Sequence, residues 1–112
     1  MDMGIEEYTR EVYRTCDIQD QRELLTLSAL GIAGEGGEIV DLVKKVLYHE
    51  HELDTSALRE EVGDLLWYIT LLCETAGFTL TDAMQANVEK LRQRYPRGFD
   101  PQRSRARAKE EG

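Results

Sequence analysis

Residues 58–73, LREEVGDLLWYITLLC, place apolar side chains at Leu58, Val62, Leu65, Leu66, Ile69, Leu72 and Cys73. Intervals of three, four and seven are the repeat of an α-helix, not the two-residue alternation of a strand. Upstream, Leu24, Leu27, Ala29, Leu30, Ile39, Leu42, Val43, Val46 and Leu47 follow the same repeat, and Ile5 to about Cys16 suit a first short helix. Downstream, Met84, Val88 and Leu91 resume it. Only Pro96 and Pro101 can break a helix by sequence, and both lie near the C-terminus. Asp54, Thr55 and Ser56 are each competent N-caps for the third helix. Gly77 suits its end, Thr79 and Asp82 offer a capping box to the fourth, and Pro96 stops that one. The expected fold is all-α, a bundle of four or five helices. Residues 1–99 form a single domain in this reading, and the polar, Arg- and Glu-rich stretch 100–112 is a flexible tail.

With 112 residues the chain holds one domain. Its apolar runs are far shorter than the roughly 20 residues that span a bilayer, and no secretory leader is recognisable at the start. Cys16 and Cys73 match no paired metal spacing, so neither a disulfide scaffold nor a zinc knuckle is expected, and the compartment expected is the cytoplasm. Net charge is −8, and the residues from Arg97 onward carry +2, which leaves −10 on residues 1–96. Nucleic acid is not an expected partner, because a phosphate backbone calls for clustered cations. An acidic protein that holds a polyanion needs metal ions between the two.

Four carboxylates carry the chemistry. Glu35 and Glu38 are three residues apart, as are Glu61 and Asp64. On a helix this spacing is about 60° in azimuth and about 4.5 Å in height, so each pair leaves one face. If the two helices pack antiparallel across the short polar connection at 49–56, the pairs meet. Their apolar neighbours suggest burial, and four buried carboxylates must either take up protons or bind cations. Hard divalent ions, Mg²⁺ or Mn²⁺, suit such oxygen ligands. A pair of solvated helix faces is the plain alternative.

Gly34, Gly36 and Gly37 surround Glu35, and each costs a helix interior about 1 kcal/mol relative to alanine. Two explanations stand open: the glycines let a ligand or a neighbouring helix approach, or Gly-Glu-Gly-Gly is a turn between two helices. A phosphate-binding loop does not fit, since no Gly-Lys-Ser/Thr follows. The fourth positions, Glu38 and Asp64, also exclude the Glu-x-x-His pairs of di-iron bundles. His49-Glu50-His51-Glu52 is not a zinc-protease motif, and both histidines read as loop residues.

Taken together, Gly-Glu-Gly-Gly-Glu at 34–38, Asp-Leu-Val-Lys-Lys at 41–45, Glu-Glu-Val-Gly-Asp-Leu-Leu-Trp-Tyr at 60–68 and Asn-Val-Glu-Lys-Leu-Arg-Gln-Arg-Tyr-Pro-Arg-Gly-Phe at 87–99 resemble the MazG-like branch of the all-α nucleoside triphosphate pyrophosphohydrolases. The resemblance covers roughly residues 25–99. It implies Mg²⁺-dependent hydrolysis of (deoxy)nucleoside triphosphates to the monophosphate and pyrophosphate, as nucleotide-pool house-cleaning, by a homodimer or homotetramer. It assigns Glu35, Glu38, Glu61 and Asp64 as Mg²⁺ ligands, with Mn²⁺ a possible substitute, and leaves Glu60 as a nearby base. Asn87 and Lys90 match the segment that contacts substrate phosphates. Lys44 and Lys45 are further phosphate candidates, though a basic helix end also complements the macrodipole. Arg94 and Tyr95 could line the pocket. Trp67 and Tyr68 could stack on a base, with core packing the competing role for Trp67. Two non-enzymatic readings compete, a partner-binding helical module and a divalent-metal-binding bundle. Neither accounts for acidic pairs and phosphate-type cations in one chain.

Overall fold

The computed structural model describes residues 2–49, 52–99 and 101. Among them the chain forms four helices: α1 (Ile5–Arg14), α2 (Gln21–His49), α3 (Thr55–Ala76) and α4 (Leu80–Arg94). The fold is all-α. Two compact units divide it, Met1–Leu80 and Thr81–Gly112.

Both ends of α3 are set by residues expected to set them. The Asp54 carboxylate accepts the Ala57 N–H at 3.0 Å and starts α3. At its other end Gly77 takes φ +93°, and the Phe78 N–H reaches back to the Cys73 carbonyl at 3.0 Å. Asp20 caps α2 in the same way, accepting the Glu23 N–H at 3.0 Å.

The longest helix, α2, runs unbroken for 29 residues through Gly34-Glu35-Gly36-Gly37. There is no turn at the glycines. Nor do they admit a neighbouring helix, because a Cβ added at Gly34, Gly36 or Gly37 meets nothing within 4 Å. Close approach happens one turn earlier, at Gly31, where an added Cβ would run into the Cγ, Cδ1 and Cε1 atoms of Tyr68. Packing on α3 holds α2 helical across residues that individually disfavour it. His49 is correspondingly the last residue of α2 and not part of a loop, while His51 lies outside the described residues.

The helices α2 and α3 run antiparallel. The Gln21 side chain donates to the Thr75 carbonyl at 3.3 Å, Gly31 lies against Tyr68, and Glu35 meets Glu61 and Asp64, so one index rises as the other falls. The shorter α1 is fastened to α3 by Tyr8 on the Gly63 carbonyl (3.3 Å) and Tyr13 on Glu74 (2.7 Å). Thr15, which caps the end of α1, takes a third bond, from the Trp67 indole N–H at 2.8 Å. Val12, Leu71 and Cys73 are the buried apolar centre, beside buried Ser28 and Thr70. Ser28 satisfies its hydroxyl on the Leu24 carbonyl at 2.7 Å.

The second unit begins at Thr81 and so holds all of α4 after Leu80. Its helix is followed by a turn in which Gly98 takes φ +91° and donates to the Tyr95 carbonyl at 3.1 Å. There the rings of Tyr95 and Phe99 lie 5.8 Å apart. The expected tail, 100–112, lies outside the described residues except for Pro101.

Candidate active site

Glu35 projects from the middle of α2, and Glu61 and Asp64 leave one face of α3. Because the two helices are antiparallel neighbours, the carboxylates meet: one oxygen from each of Glu35, Glu61 and Asp64 lies within 4.8 Å of the others. Three negative groups at this spacing repel one another. The repulsion shows at Glu61, whose carboxyl is pushed above its ordinary 4.5 by a hydrogen bond shared with Glu35, by partial burial, and by the charges of Glu35 and Asp64.

The donor chemistry fits a hard divalent cation. All three ligands are oxygens, and bonds of about 2.0–2.6 Å put opposite ligands on one ion about 4–5 Å apart. The carboxylates therefore need little movement to share an ion. Glu35 and Glu61 are half-buried, whereas Asp64 is exposed. Glu38 and Glu60 are exposed as well, and Glu38 stands outside the close set. Burial of all four paired acids was the expectation, and it fails for Glu38 and Asp64. Glu38 sits about 60° around α2 from Glu35, outside the set that Glu35 forms with Glu61 and Asp64.

Beside the acids lies an open pocket of about 360 Å³ lined by Glu35, Asp64, Trp67 and Tyr68. Its aromatic wall is a T-shaped pair, ring centroids 5.2 Å apart and planes at 84°. Trp67 is half-buried, and its indole nitrogen is held by Thr15, so it belongs to the pocket wall and not to the core. Behind Asp64, burial and the Asp64 charge raise the Tyr8 phenol above its ordinary 10.0.

The candidate cations fall in two places. Lys44 and Lys45 are exposed on α2, and the Lys45 ammonium pairs with Asp41 at 3.3 Å. Asn87, Lys90 and Arg94 are carried by α4, the first two three residues apart, and Tyr95 follows its last residue. Sequence reasoning missed Tyr8, Thr15 and Gly31. The last has a visible signal: it lies one turn before Glu35, as Tyr68 lies one turn after Asp64. For Tyr8 and Thr15 no local pattern in the sequence marks the contact.

A profile described as the MazG nucleotide pyrophosphohydrolase domain matches residues 21–99, well over half of the chain. The chain belongs to the MazG family. All three carboxylates of the cluster fall inside the matched stretch, as do Trp67, Tyr68 and the residues of α4. Among curated proteins, the Gene 37 protein of Mycobacterium phage L5 is 35% identical over 83 residues, covering 70% of this chain and 73% of that protein. No solved structure matches this MazG domain significantly. No helix among its described residues is long and apolar enough to cross a membrane.

Proposed function

We propose that this MazG domain hydrolyses nucleoside triphosphates to the monophosphate and pyrophosphate in the presence of Mg²⁺, acting in the cytoplasm on the nucleotide pool. The observation that carries this reading is the Glu35–Glu61–Asp64 cluster, assembled across two helices inside the matched stretch. Those three residues would hold the ion, with Glu38 as a further ligand from the next turn of α2. When bound, Mg²⁺ or Mn²⁺ neutralises triphosphate charge and acidifies water.

The protein's own groups supply the rest. Glu60, one turn before Asp64, would accept a proton from attacking water in this reading. Lys44, Lys45, Asn87, Lys90 and Arg94 offer donors to phosphoryl oxygens, whose charge grows as the anhydride breaks. Tyr95 offers a further ring just after α4, while Trp67 and Tyr68 present an aromatic surface to the base. Covalent catalysis is not part of the reading, since burial raises the Cys73 thiol and keeps it protonated.

The domain acts as a homodimer or homotetramer in this reading. Leu30, Ala33, Gly37, Val40, Lys44 and Leu47 follow one another at alternating steps of three and four along α2, a seam of the coiled-coil kind. Its large members stay in solvent, with Leu30 68%, Val40 64% and Leu47 67% exposed. An exposed stripe of this kind, apolar apart from Lys44, calls for a partner helix.

Asp64→Asn tests the function. The change removes ligand charge and nearly preserves shape, so turnover of a full ribo- and deoxyribonucleoside triphosphate panel with Mg²⁺ should fall at least a hundredfold while the helical circular dichroism stays unchanged. Full activity in this variant, or in excess chelator, contradicts the reading.

A further inference from the structure

The contact between α2 and α3 is layered. In one layer Glu35 meets Glu61 and Asp64; one turn away, about 6 Å along the helix, Gly31 receives the ring of Tyr68. Gly31 precedes Glu35 by four residues and Tyr68 follows Asp64 by four, so the two layers are rigidly linked through both helices. At Gly31 the approach is closer than any other residue allows, because an added Cβ would overlap three ring carbons of Tyr68. No other described glycine has a neighbour within 4 Å of such a Cβ.

The Tyr68 ring is also a wall of the pocket that holds Glu35 and Asp64, and it supports Trp67 edge to face. A side chain at residue 31 would displace the ring, and with it this wall of the pocket. We propose that Gly31 is a positioning residue for substrate recognition, seating Tyr68 on the α2 backbone so that the Tyr68–Trp67 pair forms a fixed surface for the planar, base part of a nucleotide. The role is one of shape: it affects the part of the ligand carrying a base, and leaves the acidic layer one turn away in place. The inference rests on the nucleotide reading above.

Trp67 is the only tryptophan of the chain, so its fluorescence reports this wall directly. The full chain with Mg²⁺ is titrated with α,β-imido nucleoside triphosphates, which resist cleavage, and with inorganic tripolyphosphate, which has no base. Gly31→Ala should weaken binding of the best imido nucleotide about tenfold, the scale of one lost base–aromatic stack. Tripolyphosphate and Mg²⁺ affinities should stay within about twofold, and in hydrolysis KM should rise more than kcat falls. In a Tyr68→Ala background, Ala at residue 31 should add nothing further, because its effect acts through the ring.

If Gly31→Ala does not fold, the Gly31→Ala/Tyr68→Ala double variant should fold and bind the imido nucleotide as Tyr68→Ala does. Equal loss of nucleotide, tripolyphosphate and Mg²⁺ binding would show that Gly31 only spaces the helices, and overturns the proposal. Unchanged nucleotide affinity in Gly31→Ala or Tyr68→Ala overturns it too. If tripolyphosphate quenches the unsubstituted protein but no imido nucleotide binds more tightly, the base-recognition role falls while metal-phosphate binding stands. If nothing binds, the functional reading falls and this inference with it.

Discussion

Glu61 shows how a single side chain links the fold to the chemistry. Its carboxyl is raised by Glu35 and Asp64, so folding favours the protonated form. A carboxyl raised in the folded state contributes stability that is complete below the unfolded value of 4.5 and is lost as pH rises through the raised folded value. In chelator, then, the unsubstituted protein should lose stability over that pH window relative to Glu61→Gln, whose amide keeps a donor for Glu35 without the charge. At pH 7 the Glu61→Gln melting temperature should equal or exceed that of the unsubstituted protein. Added Mg²⁺ should reverse the order, because the ion binds the folded state of the unsubstituted protein and relieves the same repulsion. Melting curves of both proteins with and without Mg²⁺, from pH 4 to 8, measure this. A Glu61→Gln protein that is less stable in chelator at pH 7 contradicts the electrostatic account of the cluster.

Among the elements, α3 was legible in the sequence through both periodicity and caps, and α2 through periodicity alone. Asp54 and Gly77 are both readable as cap residues in the sequence, and both act as such. What the sequence left open was Gly-Glu-Gly-Gly, where local propensity argues for a break and packing on α3 decides for a helix. The acidic pairs were legible as spacings, but which oxygens meet depends on the register between α2 and α3, and no pattern within either helix carries that. The same register explains why Gly31, and not Gly34, Gly36 or Gly37, receives a neighbour.

Stability measurements test the element scale. Asp54→Ala should cost about 1 kcal/mol through the lost Ala57 N–H bond. Gly36→Ala should add up to about 1 kcal/mol, since the position is helical and the space around it is open. Urea titrations read both changes. Destabilisation by Gly36→Ala would show a neighbour there that the isolated chain does not provide.

At the scale of the whole molecule, the first unit has a small buried centre, and Val40, Val62, Leu66 and much of the outer face of α2 stay in solvent. The proposed association of copies through the Leu30–Leu47 seam would cover the α2 part of this exposed surface. Val40→Glu places a charge on that seam and should shift the protein to a smaller species in sedimentation, with α-helical content retained. Identical sedimentation of the two proteins contradicts the seam.

The central claim is that an acidic cluster on two antiparallel helices serves triphosphate cleavage between the α and β phosphorus atoms. The most direct measurement is the identity of the first products when the unsubstituted protein turns over a nucleoside triphosphate with Mg²⁺, separated by ion-exchange chromatography. The account predicts nucleoside monophosphate and pyrophosphate in equal amounts from the earliest time point, and neither product in excess chelator. Nucleoside diphosphate and orthophosphate as the first products would contradict it.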